Sequence, residues 1–63
     1  MTFVIFQNVR KYWIRIGHSE LYNTARNYAI FISKEHKTKT KITEDTQYFE
    51  TIIMYKNGKV FHE

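Results

Sequence analysis

The sequence predicts a two-layer α+β domain: an antiparallel sheet of four to five strands with one helix packed on one face. Three observations carry that expectation. Before Gly17 the apolar residues follow the alternating period of strands. After Ser19 they follow the 3.6-residue period of a helix. Near the end, Asn57-Gly58 lies between two apolar runs, the strongest short-range signal of a β-hairpin. The order is ββαβββ, or ββαββ if residues 38–44 are not a strand, within a single domain spanning 1–63.

Residues 2–7, TFVIFQ, are β-branched and aromatic on both faces, which predicts a strand with each face at least partly covered. Asn8-Val9 reads as a tight connection to a second strand, Arg10 to Ile16. Along RKYWIRI, Tyr12, Ile14 and Ile16 share one face and Lys11, Trp13 and Arg15 the other. A helix is predicted from about residue 20 to 35, with Leu21, Ala25, Tyr28, Ala29 and Ile32 on one stripe. Ser19 suits its N-cap and Glu20 the positive end of its dipole, while Lys34, His36 and Lys37 suit the negative end. TKTKITED alternates Thr and Lys and reads as an exposed edge strand or else a charged loop.

Gln47 to Tyr55 has the strongest strand pattern, with Phe49, Ile53 and Tyr55 opposite Tyr48, Ile52 and Met54. A type I′ turn at Asn57-Gly58 would pair Tyr55 with Val60 and Met54 with Phe61. The expected core contains Ile14, Ile16, Ala25, Tyr28, Ala29 and Ile32.

At 63 residues the chain is near the lower limit for unaided folding. A domain this small buries only about 60% of the surface its unfolded chain exposes. With no Cys there can be no disulfide, which suits a reducing compartment, so five Phe, five Tyr and one Trp must supply packing or association. TFVIF is too short for a membrane span or a signal-peptide core, and a cytoplasmic location without membrane attachment is expected.

Catalysis has no recognisable constellation. His18, His36 and His62 have no metal-ligand spacing and no Cys can join them. Glu44-Asp45 reads as a solvated turn, and neither Ser19 nor Ser33 lies in a nucleophile elbow. Gly17 and Gly58 are too far apart to form a phosphate loop. The expectation is therefore a protein that is not an enzyme and uses no cofactor and no metal.

The formal net charge of +4 points to an anionic partner or to a solubilising surface. One helix covers only one sheet face, so Lys11, Trp13 and Arg15 are expected on the uncovered one. There Trp13 either packs beneath the stems of its basic neighbours or belongs to a binding surface. Aromatics interleaved with cations suit single-stranded nucleic acid through stacking and phosphate contacts. The candidate partner-binding set is Lys11, Trp13, Arg15, Lys34, Lys37, Lys39, Lys41, Lys56 and Lys59. A host protein or ribonucleoprotein complex, nucleic acid, and a second copy in a homodimer all fit such a surface.

The helix segment TARNYAIFISKE and the closing YKNGKVF carry a likeness that spans roughly residues 20–61. Ala25-Arg26 opens the helix core, Ser33 to Glu35 closes the helix, and Tyr55, Lys56, Gly58 and Lys59 form the last hairpin. In this layout the chain resembles small phage-encoded inhibitor proteins of the anti-CRISPR type, although Phe61 stands where that group prefers Trp. The resemblance implies a cytosolic protein that sterically blocks a host nucleic-acid-handling complex. The richness in Lys, Ile, Asn and Tyr suits an AT-rich genome.

Overall fold

The alternating apolar pattern forms strands in the order β1 (Phe3–Val9), β2 (Tyr12–Ser19), then α1 (Tyr22–Glu35), β3 (Lys39–Glu44), β4 (Thr51–Lys56) and β5 (Lys59–Val60) in a computed structural model. The structure describes residues 1–48 and 50–62. The strands make one antiparallel sheet in the order β2-β1-β3-β4-β5, and α1 packs on one of its faces. The two-layer α+β architecture is the one expected.

The first hairpin turns at Arg10-Lys11 and not at Asn8-Val9. Val9 pairs with Tyr12, and Arg10 takes the positive φ of +59° that this two-residue turn demands. Between Ile5↔Gly17 and Phe6↔Arg15 the register slips, leaving Ile16 as the extra residue of a bulge. Ile16 packs on the core, and Gly17 also faces the helix: a Cβ there would stand 3.3 Å from Tyr28 Cε2. Beyond the bulge, Arg15 and Trp13 keep to the opposite face.

The helix begins at Tyr22, with Leu21 at its N-cap and no side-chain cap bond. Ser19 is thus not the cap; its Oγ accepts the Leu21 N–H at 3.1 Å just before the helix. At the other end Lys37 takes φ +49° and the Thr38 N–H donates to the Ser33 carbonyl at 3.1 Å, a Schellman closure on a residue other than glycine.

The buried line is Ala25, Ala29 and Ser33, flanked by Tyr22 and Ile30. It lies to one side of the expected stripe, for Leu21 is 68% exposed and Tyr28 is mostly outside the core. Small residues spaced by four bring the helix close to the sheet. Thr40 Oγ1 on β3 then reaches the Ala29 carbonyl at 2.9 Å. The core proper is Ile5, Ile42 and Tyr55 beneath these alanines, with Phe3 stacked edge-on against Tyr22 at 5.3 Å between ring centroids.

The topology explains the offset. Strands β2 and β3 flank β1, so the β2-α1-β3 crossover must pass over β1. A helix about 10 Å wide covers only about two strands spaced 4.8 Å apart. It sits over β1 and β3, reaches Ile53 and Tyr55 of β4, and leaves β2 overhanging. Tyr12 and Ile14 are on the helix side as expected, yet are 65% and 47% exposed, so Ile14 is not core. Farther along β2, a cavity of about 270 Å³ lies between the strand and the first half of α1, lined by Ile16, Gly17, His18, Thr24 and Tyr28.

Strand β3 is the centre of the sheet and not its edge. Thr40, Ile42 and Thr43 are buried, and Lys39 and Lys41 lie on the helix-free face. β4 starts at Thr51, later than the expected 47, because residues 45–48 turn first. Phe49, expected in this strand, lies outside the described residues. The last hairpin forms as expected, with φ +53° at Asn57 and +81° at Gly58 and with Tyr55↔Val60 paired. The Phe61 N–H donates to the Met54 carbonyl at 2.8 Å.

Candidate functional site: a basic and aromatic sheet face

The helix-free face is built by alternation. β1 contributes Val4, Phe6 and Asn8, β2 Trp13 and Arg15, β3 Lys39, Lys41 and Thr43, and β4 Met54 and Lys56. It is closed at one end, where Val4 and Thr43 are fully buried. At the other end the side chains interlock. The Lys41 ammonium lies 4.4 Å from the Trp13 ring centroid and 5.5 Å from that of Phe6. Lys39 and Lys56 approach the Phe61 ring at 5.6 and 5.4 Å. Each is within cation–π range.

These contacts also hold like charges together. Lys39 stands directly opposite Lys56, and Lys56 opposite Lys59. Directly opposed like charges destabilise a sheet. The ring of Phe61 offsets part of that repulsion, and an anion laid between the lysines would remove more of it.

Charge is segregated along the strands as well. The two hairpin turns and the C-terminus of α1 lie at the same end of the sheet, tied by Thr38 Oγ1 to the Asn8 carbonyl at 2.6 Å and by the Gly58 N–H to Ser33 Oγ at 2.9 Å. That end carries Arg10, Lys11, Lys34, Lys37, Lys39, Lys56 and Lys59, with Glu35 as their one acidic neighbour among the described residues. Glu20, Glu44, Asp45 and Glu50 lie toward the other. Charge segregated in this way makes a basic end and a basic face.

Of the expected set, Trp13, Arg15, Lys39, Lys41, Lys56 and Lys59 share the helix-free face, and Lys11 sits in the turn at its corner. Lys34 and Lys37 do not join them. They belong to the helix layer, where the Lys34 stem packs over Gly58. Phe6 and Phe61 were missing from the expected set, although both carry the lysines. The pairing of Phe6 with Trp13's strand, and of Phe61 with Met54, was the signal available for them.

The Tyr55 hydroxyl is buried without a well-formed hydrogen bond. Burial raises its pKa above the usual phenol value, nearby Tyr22 adds to the rise, and Arg26 opposes it. Among the described residues no group of three or more His, Asp or Glu is placed to hold a metal ion, and no helix is long and apolar enough to cross a membrane. Comparison with protein families, with curated proteins and with solved structures finds no match to this chain.

Proposed function

We propose that this chain is a non-catalytic binding protein that lays its helix-free sheet face on single-stranded nucleic acid. One observation carries the reading: the rings of Phe6, Trp13 and Phe61 interleaved with the ammoniums of Lys39, Lys41 and Lys56 on one face. Phosphates would take the lysines and relieve their mutual repulsion, and bases would stack on the rings as the lysines leave them. The basic end continues the track for the backbone.

Titrating the fluorescence of Trp13, the one Trp in the chain, with short single-stranded and duplex oligonucleotides tests this. Binding should quench or shift the emission and weaken steeply with salt. Trp13→Ala should keep the fold and cost about 2 kcal/mol of affinity, roughly thirtyfold. Oligonucleotides that leave the emission unchanged at low salt would refute the reading.

A second reading draws on the lysines lying against the rings, so that cations and not bare rings meet the partner. Such a surface suits carboxylates of a protein groove. In that form the chain is a phage-type accessory protein that sterically inhibits a host nucleic-acid-handling complex in the cytoplasm. Salt-sensitive binding to the complex with none to oligonucleotides would select it.

A further inference from the structure

The sheet has two edges, of which β5 is two residues long and β2 eight. An edge strand offers unpaired N–H and C=O groups to any chain that can match it. On an antiparallel strand, successive residues point these groups alternately toward the neighbour and away from it. Two contacts fix the alternation on β2. The Tyr12 carbonyl accepts Asn8 Nδ2 at 3.3 Å, so it faces β1. The Asn8 carbonyl accepts Thr38 Oγ1 from the β3 side, so Asn8 is turned away from β2 and its partner Trp13 is turned outward. Trp13 and, two residues on, Arg15 therefore present their main chain off the edge.

We propose that the partner of this edge is a second copy of the chain, β2 against β2 about a two-fold axis at Ile14, with Trp13 of each copy opposite Arg15 of the other. Register decides this. An axis at Trp13 would set Lys11 against Arg15, and an axis at Arg15 would set that residue against itself; both oppose like charges. An axis between residues would match outward-facing main chain with inward-facing. The axis at Ile14 instead places Trp13 and Arg15 together twice, each pair exchanging main-chain hydrogen bonds on the edge and a cation–π contact on the helix-free face. On the helix side it brings Ile14 to Ile14 and Tyr12 to Ile16, covering the side chains that the offset helix leaves exposed.

The pairing would join two sheets into one and make the two basic faces continuous. It does not depend on what those faces bind. Because each copy carries +4, added salt should tighten the dimer, opposite to its effect on nucleic-acid binding.

Sedimentation velocity from micromolar to millimolar protein, in low and high salt, tests the proposal. A monomer–dimer equilibrium is expected, and Ile14→Lys, which puts like charges on the axis, should weaken it by about tenfold or more while the monomer stays folded. In the wild-type protein the Trp13 and Arg15 amides should exchange more slowly as concentration rises. A monomer at every concentration would leave the edge to a foreign strand and overturn the proposal. So would a dimer undiminished by Ile14→Lys, or edge amides indifferent to concentration.

Discussion

Ser33→Ala isolates the contact that holds the last hairpin to the helix. Ser33 is fully buried; its hydroxyl donates to the Ile30 carbonyl at 2.9 Å and accepts the Gly58 N–H at 2.9 Å. The first bond is cheap to lose, since that carbonyl already lies inside the helical ladder. The second is not, because the Gly58 N–H belongs to a type I′ turn packed under the Lys34 stem, where water cannot easily replace the hydroxyl. Stranding a buried donor costs about 1–3 kcal/mol, and the partial burial of Gly58 places this case near the lower end.

Alanine is the better helix former by several tenths of a kcal/mol, so a hydroxyl with no role would make the variant more stable. The sign of the change thus separates the two cases. A net loss of about 0.5 kcal/mol should lower Tm by about 2–4 °C in a domain of this size. Hydrogen exchange should quicken at the Gly58 amide before it quickens in the core. A variant with equal or higher Tm and unchanged Gly58 exchange would refute the assignment.

Tyr55→Phe removes a buried hydroxyl without a well-formed partner, so it should leave stability at neutral pH equal or slightly higher. Because the native state holds the Tyr55 proton more tightly than the unfolded chain, its contribution is complete below about pH 10 and is lost as pH rises through the raised value. Thermal melts of the two proteins should therefore diverge above about pH 10, with the wild type falling faster; parallel profiles would refute the linkage. Lys37→Gly should raise Tm by a few degrees, since a left-handed lysine costs about 1–2 kcal/mol and glycine returns only part of that as chain entropy. A lower Tm would show that Lys37 makes a compensating contact.

Local chemistry was legible in the sequence wherever a short motif decides geometry. Asn57-Gly58 specified its turn, and the change of period showed that a strand gives way to a helix, although the strand continues past Gly17 to Ser19. What was not legible was order within the sheet. Lysines alternating with threonines in TKTKITE resemble a protected edge, but the same alternation serves a central strand when Thr40 and Ile42 face a helix and Lys39 and Lys41 lie over aromatic rings. The helix stripe was right at its alanines and wrong at its larger residues. Hydrophobic periodicity found Ala25 and Ala29, which are buried, but it also favoured Leu21 and Tyr28, whereas close approach to the sheet selects Ser33, a small polar residue with no hydropathic signal.

Both surfaces assigned here follow from that one placement of the helix. Centred on β1 and β3, α1 reaches β2 only at Ile16 and Gly17, so Tyr12 and Ile14 become the flank of a free edge. On the reverse of the same strand sits Trp13, held by Lys41 from the central strand. The edge and the basic face thus share Trp13 and Arg15, and anything that pairs the edge also changes the electrostatics of the face. If β2 pairs with a second copy, the guanidinium of Arg15 arrives beside a tryptophan already touched by Lys41, and the added cation must raise the affinity of that corner for an anion. Dimerisation and anion binding should then be linked, each strengthening the other by the same factor. Sedimentation with and without a saturating oligonucleotide measures that factor, and a dimer constant that falls when the face is occupied would break the link.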